Sequence, residues 1–223
     1  MSDNEPKVTV KRRCIVYLDG FNFYKGVMEE NPAWKWLNLQ SFFEMLRCNE
    51  DVVAVKHFTA VIDPQWRVSE RRDRQRVYFQ ALATLPKVSR IEGKYQLRTV
   101  TCRAADCPRK LDYQSPEEKK TDVNIAVGMI EDAMDDAVDN IVLVSSDSDL
   151  EPAVKMIRNR FPKIKVVVYL PQLPDSTERN NHFYRSLGVP CGPLPLGEIA
   201  RHQLPECIPL AEGKVIRRPP EWS

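Results

Sequence analysis

Four aspartates stand where an α/β chain would place chemistry. Asp19 closes the apolar run Cys14 to Leu18, Asp147 and Asp149 follow the run Ile141 to Val144 in VSSDSDLEP, and Asp122 opens the helical pattern TDVNIAVGMIEDAMDD. Two carboxylates at about 4 Å repel by ~4 kcal/mol at an effective dielectric near 20, so a group of four is costly if it converges. A divalent cation or proton uptake removes that cost. Hard oxygen donors with water completing the shell suit Mg²⁺ or Mn²⁺, and such an ion beside an open cleft suits phosphoryl transfer, where it activates water and stabilises the leaving oxygen. Phosphodiester hydrolysis is the leading chemistry. Three of the four aspartates also have a local role to offer. Asp19-Gly20 suits a turn, Asp149 suits the N-cap of a helix with Pro152 in its first turn, and Asp122 suits the positive end of its own helix. What outweighs these local roles is that all four fall on one edge of the expected sheet.

That sheet follows from the apolar pattern. CIVYL (Cys14 to Leu18), VVAVKHFTAVI (Val52 to Ile62), a segment within Lys87 to Thr101, Ile141 to Val144 and Val166 to Leu170 read as strands. Between them, Leu39 to Arg47, Arg67 to Leu85 and Leu150 to Arg158 read as helices with one apolar face, the last burying Leu150, Ala153, Val154 and Ile157. Val123, Val127, Ile130 and Met134 recur at helical spacing and predict the inward face of a helix with Thr121 as N-cap and an acidic face opposite. Strands alternating with helices imply βαβ units, hence an α/β fold with a mostly parallel sheet covered on both sides. Ligands of such sheets sit outside the carboxyl ends of the strands. The four aspartates converge there if the first and fourth strands are neighbours. The stretch TCRAADCPRKLDYQSPEEKK has no period and reads as irregular, and the chain beyond Gly188 is proline-rich and aperiodic, an arm expected to lie over the domain.

Composition sets outer bounds. The 223 residues suffice for one well-cored domain with extensions; 43% hydrophobic and 29% charged residues with a net charge of +2 are those of a soluble globular protein and do not by themselves announce a polyanion partner. The opening MSDNEPKVTVKRRC has no apolar signal region and no run is long enough to span a bilayer, so a cytoplasmic protein without membrane association is expected. Six scattered cysteines are expected as reduced thiols.

The segments IVYLDGFNFYKGV (Ile15 to Val27), EKKTDVNIAVGMIEDA (Glu118 to Ala133) and IVLVSSDSDLEPAVKMI (Ile141 to Ile157) together resemble the NYN domain family, in particular its LabA-like branch within the PIN-like nuclease group. The resemblance covers about Cys14 to Leu187, and HQLPECI and RRPPEW look like the extension of that branch. It implies a Rossmann-like three-layer α/β/α sandwich and an acidic metal site that cleaves RNA. By position, Asp19, Asp122, Asp147 and Asp149 match the acidic residues, as catalytic groups and ligands of Mg²⁺ or Mn²⁺, and Asn22 and Ser145 match polar positions beside them. Ser146 departs from the family's common SGDSD, where a glycine stands, and bears on the approach of a phosphate. The expected organisation is an extension over residues 1–13, a nuclease domain over 14–187 and an arm over 188–223.

Substrate contacts are sought among basic and aromatic residues. Arg67, Arg71, Arg72, Arg74 and Arg76 form one basic segment, Arg98, Arg103, Arg109 and Lys110 another, and Lys119 and Lys120 precede Asp122. Of these, Lys120, Arg71 and Arg74, with Asn22, Ser145 and Ser146, are the candidate contacts to RNA; for any single arginine a solvated helix or loop face competes. Tyr24, Trp34 and Trp36 could stack unpaired bases or pack their loop onto the domain. Cys102 and Cys107 are spaced as half a zinc site, with His182 or Cys191 to complete it, but no second pair follows. His57, within an apolar strand, reads as a satisfied core histidine. A nucleotide-sugar transferase using Asp147-Ser148-Asp149 leaves Asp19 and Asp122 unexplained, and a haloacid-dehalogenase-like phosphatase requires an aspartate where Phe21 stands. No P-loop or GxGxxG motif is present. A catalytically silent RNA-binding or partner-binding module is the alternative from another class, and a homo-oligomer is left open.

Overall fold

A computed structural model of the chain describes residues 10–62, 69–102, 112–171 and 184–223. Arg67, Arg103, Cys107, Arg109, Lys110 and His182 lie outside them.

In chain order the elements are β1 (Arg13–Asp19), α1 (Gly20–Phe23), α2 (Leu39–Leu46), β2 (Asp51–Thr59), α3 (Ser69–Leu82), β3 (Val88–Glu92), β4 (Lys94–Thr101), β5 (Asp112–Lys119), α4 (Thr121–Met134), β6 (Asn140–Val144), α5 (Glu151–Arg160), β7 (Lys165–Leu170), β8 (Cys191–Pro193), β9 (Cys207–Pro209) and β10 (Val215–Arg217). Six strands form one sheet in the order β3-β2-β1-β6-β7-β8, with every neighbouring pair parallel. The chain builds outward from β1 to β3 and then returns to start β6 on the other side of β1, Leu18 lying opposite Val144. The gap beyond the carboxyl ends of β1 and β6 is therefore the point where strand order reverses, the place such sheets offer a ligand.

Because a strand alternates faces, β1 divides its side chains between two cores. Cys14, Val16 and Leu18 join Phe42 and Phe43 of α2, Tyr78 and Phe79 of α3, Trp36 and Trp222. Ile15 and Tyr17 join Ile125 and Met129 of α4 and Val154 and Ile157 of α5. Helices thus cover both faces, giving the three-layer α/β/α sandwich with a wholly parallel central sheet. The proline-rich arm lies over the first core despite lacking a period: Trp222 sits against Trp36 and Tyr78, with ring centroids 6.2 and 6.1 Å apart, and Trp36 donates its indole N–H to the carbonyl of Pro205 (2.9 Å). The arm also supplies β8, the sixth strand.

Three sequence expectations change. The segment within 87–101 holds two strands: β3 joins the sheet, whereas β4 pairs antiparallel with β5 in a separate ribbon. The stretch read as irregular therefore contains β5, because a two-stranded ribbon with little buried surface leaves no apolar alternation to detect. Thr121 does not cap α4. Lys120 occupies the cap position in a left-handed conformation without a side-chain cap bond, and the buried Thr121 hydroxyl donates to Glu118 (2.5 Å). Finally, α4 buries Thr121, Ile125, Met129 and Ala133, while Val123, Val127 and Met134 are exposed.

His57 of β2 is buried and packs edge-on to Phe79, but its Nδ1 has no partner among the described residues. It is a core histidine, though not a satisfied one. Burial, and secondarily the nearby Arg90, pushes its pKa down to about 4. Gly20, the first residue of α1, packs close to it: a Cβ there would lie 2.6 Å from His57 Nε2 and 2.6 Å from the Phe58 carbonyl.

Two consequences are measurable by denaturant unfolding. Gly20→Ala is expected to lose roughly 1–3 kcal/mol by overpacking; an unchanged midpoint would show that β2 yields. For His57 the folded pKa lies below the ordinary value of 6.5, so the unfolded chain binds the extra proton. The stability held by neutral His57 is complete above 6.5 and is lost as pH falls toward 4, by up to ~3 kcal/mol. His57→Leu is expected to flatten that part of the profile.

Candidate active site

Asp19 is the innermost carboxylate, only 2% exposed at the end of β1. It caps α1: the Asn22 backbone N–H donates to Oδ1 (3.0 Å) and the Asn22 side-chain amide to Oδ2 (2.6 Å). From the turn that leaves β6, the Ser145 hydroxyl donates to the same Oδ2 (2.7 Å) and accepts the backbone N–H of Asp147 (3.0 Å). Three donors favour the ionised form, and they oppose the larger effect of burial, which together with Asp147 leaves the Asp19 pKa raised. Asn22 and Ser145 therefore spend their polar atoms holding Asp19.

The second aspartate pair exchanges the roles that local sequence suggests. Asp147, not Asp149, is a cap: its Oδ1 accepts the backbone N–H of Asp149 (2.9 Å) at the start of the 3₁₀ turn Ser148–Leu150. Pro152 does sit in the first turn of α5, whose cap position is Leu150. Tyr184, which precedes β8 in the chain, donates its hydroxyl to the Asp147 carbonyl (2.5 Å). Ser146 is buried and its hydroxyl has no partner among the described residues.

Asp122, on the first turn of α4, closes the group. Burial pushes its pKa up to about 6, with Asp147, Asp19 and Asp149 adding repulsion in that order. Asp147, Asp19 and Asp149 all act electrostatically on Asp122, and Asp147 acts on Asp19, so the four aspartates lie in one neighbourhood at the switch point. A fifth carboxylate joins them: Glu118, at the end of β5, is raised by burial and then by Asp19 and Asp122, against the hydrogen bond from Thr121. Sequence inspection misses Glu118 because it belongs to a ribbon that pattern does not reveal, and Tyr184 because only the fold brings it to the loop. The EKKTD run, with Glu118 four residues before Asp122, is the one signal that could have found the former.

The remaining candidates separate. Lys120 stands beside Asp122 in its strained left-handed conformation (φ 74°), a conformation that costs a non-glycine residue of order 1–3 kcal/mol and is concentrated at functional sites. Lys119 pairs with Glu117 (2.6 Å). Arg71 is exposed on α3, and Arg74 reaches Glu221 of the arm (2.9 Å) and Glu70 (3.8 Å), so its described partners are structural. Trp36 is wholly buried and Trp34 packs on the same core, which removes Trp36 as a stacking surface. Phe21 and Tyr24, beside Asp19 in sequence, remain exposed. Of the zinc candidates, Cys102 and Cys191 are free thiols.

Among the described residues no three His, Cys, Asp or Glu side chains close tightly enough to hold an ion by themselves. Mg²⁺ keeps several waters and takes one or two carboxylates directly, so the uncompensated acidic set fits a hydrated divalent ion.

Carboxylates at the switch point of a parallel α/β sandwich suit a nuclease-like protein. The chain belongs to the NYN domain family, whose sequence pattern matches residues 13–186. It is also similar to 6-hydroxy-3-succinoylpyridine 3-monooxygenase HspA of Pseudomonas putida (strain DSM 28022 / S16), at 28% identity over 248 residues that take in 99% of this chain and 77% of that protein. No solved structure matches it. No described helix is long and apolar enough to cross a membrane.

The Tyr184 hydrogen bond can be tested without emptying the core. Tyr184→Phe is expected to cost about 1 kcal/mol and to speed hydrogen exchange at the Asp147 and Asp149 amides; unchanged protection would mean the loop holds itself.

Proposed function

We propose that this protein is a metal-dependent ribonuclease that hydrolyses RNA phosphodiester bonds in the cleft of Asp19, Asp122, Asp147 and Asp149. The observation that carries the proposal is that Ser145 joins Asp19 to the Asp147 backbone at the carboxyl ends of the adjacent strands β1 and β6, with Asp122 close enough for Asp147, Asp19 and Asp149 to act on it. A bound Mg²⁺ or Mn²⁺ would supply an activated water and charge stabilisation at the leaving oxygen. Asp19 and Asp147 are its principal carboxylates in this scheme, with Asp149 and Asp122 beside them. Asn22 and Ser145 fix Asp19 and favour its ionised form against burial, and Ser145 also ties the Asp147 backbone to it. Asp122, poised near neutrality, is suited to take a proton from the attacking water. Lys120, exposed two residues before Asp122, is the candidate contact to a phosphate, and Phe21 and Tyr24 offer rings to an unpaired base. The catalytic domain spans 14–187, with the 188–223 arm as the LabA-like extension, and its setting is the cytoplasm.

A second function has one specific observation behind it. The relative named above acts, by its name, on a hydroxylated pyridine, and its similarity runs through nearly the whole of this chain. In that case Phe21 and Tyr24 would face a small heteroaromatic ring.

One set of assays separates these. With Mg²⁺ or Mn²⁺ the parent is expected to cleave a mixed RNA pool, Asp19→Asn and Asp147→Asn to fall by ~100-fold or more, and excess chelator to stop the reaction. Asparagine can still cap at 147, so the loss at that position would report charge. Asparagine variants as fast as the parent would refute the site. If the parent leaves RNA intact but consumes 6-hydroxy-3-succinoylpyridine in air with a reduced nicotinamide or flavin donor, the second function holds; RNA binding without cleavage would identify a silent module.

A further inference from the structure

Tyr95 is set apart on its strand. β4 is exposed at Lys94, Gln96, Leu97, Arg98 and Thr99, whereas Tyr95 is half-buried. Its partner directly across the ribbon is Glu118, so the two side chains leave the same face about 5 Å apart at Cβ. The direction of that face is fixed at its base. Glu118 accepts the Thr121 hydroxyl at the amino end of α4 (2.5 Å), and Gly93, between β3 and β4, packs so tightly there that a Cβ would lie 2.3 Å from Thr121 Oγ1. Asp19 and Asp122 both act on Glu118. The ribbon face that brings Glu118 to the acidic group therefore brings Tyr95 beside it, with Leu97 two residues further along the same face and 46% exposed.

A second ring comes from the turn that leaves β1. Tyr24 directly follows α1, is 40% exposed, and is held by Lys35, whose Nζ lies over the ring 5.4 Å from its centroid. Burial pushes the Tyr95 phenol up to about 12, with Glu118 and then Tyr24 adding to it, so that ring is uncharged at neutral pH. Glu117, the other carboxylate at this end of β5, falls on the opposite face of the ribbon and pairs with Lys119 (2.6 Å). Two aromatic rings from separate elements thus stand beside the carboxylates.

We propose that Tyr95 and Tyr24 seat an unpaired nucleobase next to the phosphate held at the carboxylates, so that the substrate is a single strand rather than a duplex. The inference rests on the ribonuclease reading and names the substrate class of that same site. Uncharged rings recognise a base and give no hold on a phosphate backbone. A base inside a duplex offers its edges only, whereas stacking on a side chain needs a free face.

Fluorescence anisotropy with a short, labelled, unstructured RNA, in Ca²⁺ so that the carboxylates have a cation, reads binding apart from cleavage. The parent is expected to bind the single strand roughly 10-fold more tightly than a duplex of the same sequence. Tyr95→Leu fills the space without an aromatic face; it is expected to weaken strand binding by roughly 10-fold with a melting curve close to the parent's, while Tyr95→Phe stays within about 3-fold of the parent. In cleavage, Tyr95→Leu is expected to raise KM by a similar factor and to leave kcat within about 3-fold. Tyr24→Leu, on a different element, is expected to shift binding in the same direction. A parent that binds duplex as well as strand, or binds neither, overturns the proposal. So does strand binding unchanged in Tyr95→Leu, which would reduce the ring to packing, or unchanged in Tyr24→Leu. The two readings fail separately: a parent that holds the strand through Tyr95 but never cuts it sinks the ribonuclease reading and upholds the seat, whereas one that cuts duplex and strand alike upholds the ribonuclease and removes the seat.

Discussion

The structure turns on one buried carboxylate. Asp19 lies at the end of the central strand with almost no access to water, where an ionised group is costly unless it is fully hydrogen-bonded or neutralised. Its donors come from two directions: Asn22 on the turn that leaves β1, and Ser145 on the turn that leaves β6. The same serine accepts the Asp147 backbone, so the group that makes Asp19 tolerable also fixes the loop of the second acidic pair. Satisfying one charge thereby positions a second. The remaining imbalance, burial and then neighbouring carboxylates raising the pKa of Asp19, Asp122 and Glu118, is what a hydrated cation would relieve.

Around that centre the fold distributes support unevenly. One face of the sheet is closed by α2, α3 and the C-terminal arm through a cluster of large aromatics, and the arm's Trp222 and Glu221 tie back to Trp36 and Arg74. On the other face α4 serves several elements at once. Its first turn supplies Asp122, its inner stripe fills the second core, its Asp132 binds Lys56 and Tyr17, and its amino end receives Glu118 through Thr121. The backbone at Gly93, where β3 passes into β4, comes so close to Thr121 that a Cβ would collide with its hydroxyl. The ribbon is thus pressed against the acidic cleft at its base, which is how Glu118 enters.

The site was more legible than the details that hold it. Asp19, Asp122, Asp147 and Asp149 could be read as a group because strand runs and helix periods place each at the same edge, and edge position survives errors of a residue or two in element boundaries. Capping could not be read so reliably. Asp147 and Asp149 are equally good cap residues in isolation, and the choice between them depends on the Ser145 and Tyr184 hydrogen bonds to the Asp147 backbone, both set by groups outside the SDSD motif itself. Asn22 and Ser145 were recognisable as polar neighbours, but their engagement with Asp19 required knowing that β1 and β6 are adjacent.

α4 marks the boundary most clearly. Its sequence contains two apolar stripes of similar strength, and periodicity alone determines that a helix exists without determining how it is rotated. Strand order is of the same kind: the sequence determined parallel strands with acidic residues at their carboxyl ends, because alternation of strand and helix and the chemistry of each residue type are local. Only the tertiary structure decided that β6 returns beside β1, that Asp132 turns the Val123 stripe outward, and that Glu118 and Tyr184 reach the cleft, because each depends on contacts between residues far apart in the chain, to which no local pattern is sensitive.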